Sequence, residues 1–116
     1  MSLKEILQND WQKEVLDCDI PVIVKISAEW CMPCKLLAPI LEDFAVEYEG
    51  KAKFVQIDAD KSRDLLIELQ IMAVPTILIF AIGKQIEKLV GVRTKKDIKV
   101  QIEKVINEYK NSEAVL

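Results

Sequence analysis

Pro21-Val22-Ile23-Val24-Lys25-Ile26-Ser27-Ala28-Glu29-Trp30-Cys31-Met32-Pro33-Cys34-Lys35 decides the fold of this chain. Pro21 opens a β-branched run, Val22 to Ile26, of the kind that forms a strand covered on both faces. It leads directly into two thiols one helical turn apart. That spacing suits a dithiol that opens and closes: one thiolate attacks a disulfide, and the second thiol resolves the mixed disulfide that results. Half of a zinc site has the same spacing, so the rest of the chain must discriminate.

The chain has 116 residues, 51% of them hydrophobic and 30% charged. This is the balance of a single soluble globular domain, here residues 1–116, large enough to bury a core without disulfide staples. A net charge of −3 supplies no basic field, so neither nucleic acid nor a membrane surface is an expected partner. Met1-Ser2-Leu3-Lys4-Glu5 lacks the apolar core of a signal peptide, and no apolar run approaches membrane-spanning length, which predicts a cytoplasmic protein. Three cysteines cannot all pair. Histidine is absent, which removes Cys-His nucleophile pairs and Cys/His zinc sites, and a four-cysteine site would need a second chain. No metal or bound cofactor is expected.

Outward from the motif, Leu37, Ile40, Leu41, Phe44, Ala45 and Tyr48 recur at helical intervals, with Pro39 predicted to kink the helix and Gly50 to follow its end. Phe54, Val55 and Ile57 mark a strand, and Ser62 is placed to cap a helix bearing Leu65, Leu66 and Leu69. Thr76–Ala81 and Gln85–Val90, turning near Gly83, read as a hairpin. Thr94 and Asp97 cap a last helix with Ile98, Ile102, Val105, Ile106 and Tyr109, and a frayed tail is expected from about Asn111. Ahead of the motif, Ser2 and Glu5 have capping-box spacing before Leu3, Ile6, Leu7, Trp11, Val15 and Leu16; a short edge strand is the alternative. The order predicts an α/β fold, a mixed sheet of four to five strands with helices on both faces.

Cys31 falls at the expected N-cap of the helix, where free backbone N–H groups stabilise a thiolate, so Cys31 is the candidate nucleophile. Cys34, one turn in, is the candidate resolving thiol and should be less exposed. Pro33 suits the first turn, where no backbone donor is needed. Met32 adds no charge between the sulfurs, which leans the couple toward reduction of substrates. An unreactive pair in a core, or a partial metal site, is the bland alternative.

Ala28-Glu29-Trp30-Cys31-Met32-Pro33-Cys34-Lys35, Ala38-Pro39-Ile40-Leu41, Val74-Pro75-Thr76 and Val90-Gly91-Val92, in this order from about Trp11 to Tyr109, resemble the thioredoxin family. The resemblance implies a thioredoxin-like fold and a protein-disulfide reductase working through a redox Cys31–Cys34 disulfide. It implies that Pro75 is the cis-proline lying against the dithiol. It also implies that Trp30, Met32, Ala73, Val74, Gly91 and Val92 form an apolar surface for an extended substrate segment, with ordinary loop packing the alternative for Val92. Implied partners are proteins with accessible disulfides and a thioredoxin-reductase-type electron donor, the chain itself being a monomer without a bound cofactor.

The chain departs from that family at two positions. The usual buried aspartate before the motif is Lys25, and the usual lysine in the next strand is Gln56, so the aspartate's proton-transfer role with the resolving cysteine does not carry over. Lys25 alternates onto the face of Ile23 and Ser27. A neutral amine there would take the proton of Cys34, a charged one would stabilise its thiolate, and a third possibility is a lysine that reaches water or pairs with a carboxylate. Ser27 opens space where the family often has tryptophan, Glu29 reads as a solvated charge, and Cys18 reads as a buried, inert thiol. Two other functions compete: a disulfide isomerase or oxidase, and a thioredoxin-fold module that binds a partner or shares a metal or iron-sulfur cluster between chains.

Overall fold

The computed structural model describes the backbone of residues 3–115 and the side chains of residues 3–109. Along the chain run β1 (Lys4–Glu5), a 3-10 turn (Gln8–Asp10), a π-helical turn (Gln12–Leu16), β2 (Val22–Ser27), α1 (Met32–Glu47), β3 (Lys53–Asp58), α2 (Arg63–Glu68), β4 (Thr76–Ala81), β5 (Lys84–Val90) and α3 (Lys95–Val115). The sheet order is β1-β3-β2-β4-β5. β2 runs parallel to β3, and β3 parallel to β1, while β4 is antiparallel to both β2 and β5.

Every residue of β2 is buried, as a central strand with both faces covered requires. Its alternate side chains go to two cores. Ile23, with Ile77 and Ile79 of β4, packs against Leu37, Leu41 and Phe44 of α1 and Ile98, Ile102 and Val105 of α3. On the opposite face Val22, Val24 and Ile26 meet Trp11, Val15, Leu65 and Leu66, and the Trp11 and Phe80 rings stack edge-on with centroids 5.1 Å apart. The α1/α3 pair is further tied by Tyr48, whose hydroxyl donates to Glu103 at 2.7 Å.

The predicted first helix is replaced by the edge-strand alternative. Lys4 and Glu5 pair with Val55 and Gln56, and the Ile6 N–H donates to the Gln56 carbonyl at 2.9 Å. A separation of three sends Leu3 and Ile6 to opposite faces of the extended chain, and each joins a different core. Ser2, half of the suggested capping box, lies outside the described residues. α3 runs on to Val115, across the segment read as a frayed tail. The remaining elements match the sequence reading to within a residue or two. At the start of α3 the Asp97 N–H donates to Thr94 Oγ1 at 3.1 Å, whereas Ser62 precedes α2 without a side-chain cap bond, its hydroxyl buried and without a hydrogen-bond partner among the described residues.

Candidate active site

The β2–α1 connection presents the two sulfurs. A turn closed by the Cys31 N–H on the Ala28 carbonyl, at 3.1 Å, brings Cys31 to the N-cap of α1, with Met32 and Pro33 in the first helical turn. Cys31 and Cys34 form a disulfide, their Cα atoms 5.3 Å apart. The Cys34 backbone N–H donates to Cys31 Sγ at 3.2 Å. A thiolate on Cys31 thus meets an N-cap donor and the positive end of a sixteen-residue helix.

Cys31 is 4% exposed and Cys34 2% exposed, so the expected difference in exposure is small. In the closed disulfide both sulfurs pack with Ala28, and half-buried Val74 leans on the cluster. The segment Ala73-Val74-Pro75 is fixed beside them. The Val74–Pro75 bond is cis, Thr76 Oγ1 donates to the Ala73 carbonyl at 2.7 Å, and the Gly91 N–H donates to the Pro75 carbonyl at 2.8 Å. Pairing of Thr76 with Val90 brings the end of β5, and with it Gly91 and Val92, to the same edge.

Around the disulfide, Trp30, Met32 and Val92 are exposed, as are Ala73 and Met72. Met72 is 96% exposed and adds to this apolar rim, although the sequence reading passed over it. Trp30 Nε1 donates to Asp60 Oδ2 at 2.9 Å, an orienting contact that no local spacing announces because thirty residues separate the partners. Glu29 is exposed, as read, and Cys18 is free and half-buried rather than buried, packed at the margin of the second core.

Lys25 is 4% exposed, on the α1 side of the sheet, between Gln56 of β3 and Ile77 of β4. Among the described residues it has neither a hydrogen-bond nor an ion-pair partner. Burial draws its pKa below the ordinary lysine value, and the charge of Glu42 acts in the opposite sense. Lys25, Cys34, Ser27, Ala38, Glu42 and Gln56 line one cavity of about 280 Å³. Glu42, missed in the sequence, is recoverable from spacing: 34, 38 and 42 share a helical face. Among the described residues there is no cluster of three or more metal-ligating side chains.

The Thioredoxin family model matches residues 2–104. Thioredoxin 1 of Nostoc sp. is 34% identical over 100 residues, which cover 86% of this chain and 94% of that protein. The thioredoxin of Rickettsia conorii is 36% identical over 101 residues, covering 87% and 96%. The mitochondrial thioredoxin of Mus musculus is 36% identical over 97 residues, covering 84% of this chain and 58% of that protein.

Proposed function

Since the chain belongs to the thioredoxin family and is a thiol-disulfide oxidoreductase of the protein-disulfide reductase type, we propose that Cys31 is its attacking thiol and Cys34 its resolving thiol. The observation that carries this assignment is the N-cap position of Cys31, with the Cys34 N–H directed at its sulfur.

In the reduced protein the Cys31 thiolate attacks one sulfur of a substrate disulfide, forming a mixed disulfide and releasing the other substrate sulfur as a thiolate. Cys34 then loses its proton and attacks Cys31 Sγ. The Cys31–substrate bond breaks, its electron pair leaves with the second substrate sulfur, and the Cys31–Cys34 disulfide closes. Pro33 restrains the first turn between the two sulfurs, and Lys25, which lines the same cavity as Cys34, is a supporting charge.

Substrates dock as an extended segment along Ala73, Val74 and Pro75, flanked by Trp30, Met32, Gly91 and Val92. Support comes from the convergence of these residues on one edge and from the exposure of Trp30, Met32, Ala73 and Val92 around a disulfide that is itself almost covered. The reading includes one domain over the chain, a monomer, a cytoplasmic setting and regeneration by a thioredoxin-reductase-type donor. A free half-buried Cys18 suits a reducing compartment, and among the described residues no helix is long and apolar enough to cross a membrane.

The test is dithiol-driven reduction of a protein disulfide. Wild type accelerates it and Cys31→Ser does not; equal rates would overturn the assignment.

A further inference from the structure

The cavity under the disulfide holds a charge arrangement that thiol exchange by itself does not require. Cys34, Ala38 and Glu42 line up along one face of α1, and the single methyl of Ala38 leaves the space between the outer two open. Lys25 enters this space from β2, nearly sealed from solvent and without a hydrogen-bonded or ion-paired neighbour among the described residues.

On the reading that Cys34 resolves the mixed disulfide, we propose that Glu42 holds Lys25 as an ammonium beneath Cys34, and that this cation prepares the resolving thiolate. Lys25 keeps its proton throughout. The proton of Cys34 passes out of the cavity to solvent water, and the thiolate left behind is stabilised by the ammonium as it attacks Cys31 Sγ. Glu42 is a positioning residue, acting through Lys25. Eight residues of helix separate it from Cys34, about 12 Å along the axis, which is beyond the reach of a half-exposed carboxylate in ordinary salt.

The physical need for Glu42 follows from burial, which favours the neutral amine, while the carboxylate favours the ammonium. Other charges face the same cavity: Glu5 from β1, Glu29 from the β2–α1 connection, Lys35 from α1 and Asp58 from β3. Glu5 pairs with Lys61, Asp58 Oδ1 accepts from the Asp60 N–H, and Glu29 and Lys35 are exposed. Glu42 is the carboxylate whose charge acts on Lys25.

The experiment follows Cys34 and Lys25 by carbon-13 NMR titration in a Cys31→Ser background, so that one active-site thiol titrates. Lys25→Met should raise the Cys34 midpoint by about one pH unit, tenfold less thiolate near neutral pH. Glu42→Gln should lower the Lys25 midpoint and raise that of Cys34, yet leave Cys34 unmoved once Lys25 is Met. Lys25→Arg, a fixed cation, should hold Cys34 near its original midpoint with or without Glu42. An unmoved Cys34 in Lys25→Met overturns the proposal, as does an equal effect of Glu42→Gln in both backgrounds. Reductase activity in the otherwise unaltered protein is scored separately, so unmoved titrations with full activity refute the charge pair alone, and shifted titrations without activity refute the reductase assignment alone.

Discussion

Lys25 carries a desolvation cost that the charge of Glu42 offsets only in part. Its pKa in the folded protein lies below the unfolded value, so between the two the unfolded chain binds more protons and stability rises with pH; below both, the full cost is present. Lys25→Met, which fills the same space without charge, should therefore stabilise the protein by about 1 kcal/mol at pH 7. Urea unfolding at several pH values checks this. The advantage of the variant should shrink as pH climbs toward 10.5, and an advantage that stays constant would contradict the account. A stabilising loss of charge at the same position that slows resolution would be a residue kept for chemistry at the expense of stability.

At the scale of elements, α2 ends in a strained closure. Gln70 has φ 57°, in the left-handed region, while its N–H donates to the Ile67 carbonyl at 3.1 Å and the Ile71 N–H donates to the Leu66 carbonyl at 2.9 Å. Glycine adopts that backbone without the Cβ penalty. Gln70→Gly should raise stability by about 0.5–1 kcal/mol, read by thermal or urea unfolding; a loss of stability would mean the side chain contributes more than its conformation costs. At the other end of the scale of caps, Thr94→Ala should cost about 1 kcal/mol by removing the Asp97 N–H acceptor.

These elements also mark how far the chain could be read without coordinates. β2, α1, β3, α2, the hairpin and α3 all declare themselves: the helices through an apolar period of 3.6, and the central strands β2 and β4 through unbroken apolar, β-branched runs buried on both faces. The segment Leu3–Ile6 misleads because a two-residue strand is too short to show a period, and its pairing with β3 is a long-range fact. Within the site, Cys31, Cys34 and the Val74–Pro75 segment are found from local motifs. The Trp30–Asp60 bond is not, because it joins residues brought together only by the fold, and the meeting of Lys25 with Glu42 and Gln56 in one cavity is likewise a product of the fold.

Across the whole molecule, the two cores hold β2 rigidly from both sides, and the dithiol sits where that strand ends and α1 begins. This is the carboxyl end of the parallel part of the sheet, where open α/β folds leave a crevice between neighbouring connections. The loop before β4 and the end of β5 close on the same edge, so the proposed attack, docking and resolution would share one small, apolar-rimmed site. The division of labour between the sulfurs is the central claim, and trapping tests it directly. When each single-cysteine variant is incubated with a disulfide-containing protein and the adducts are identified by mass spectrometry, Cys34→Ser should accumulate a mixed disulfide on Cys31, while Cys31→Ser should accumulate almost none; adducts that form preferentially on Cys34 would contradict the account.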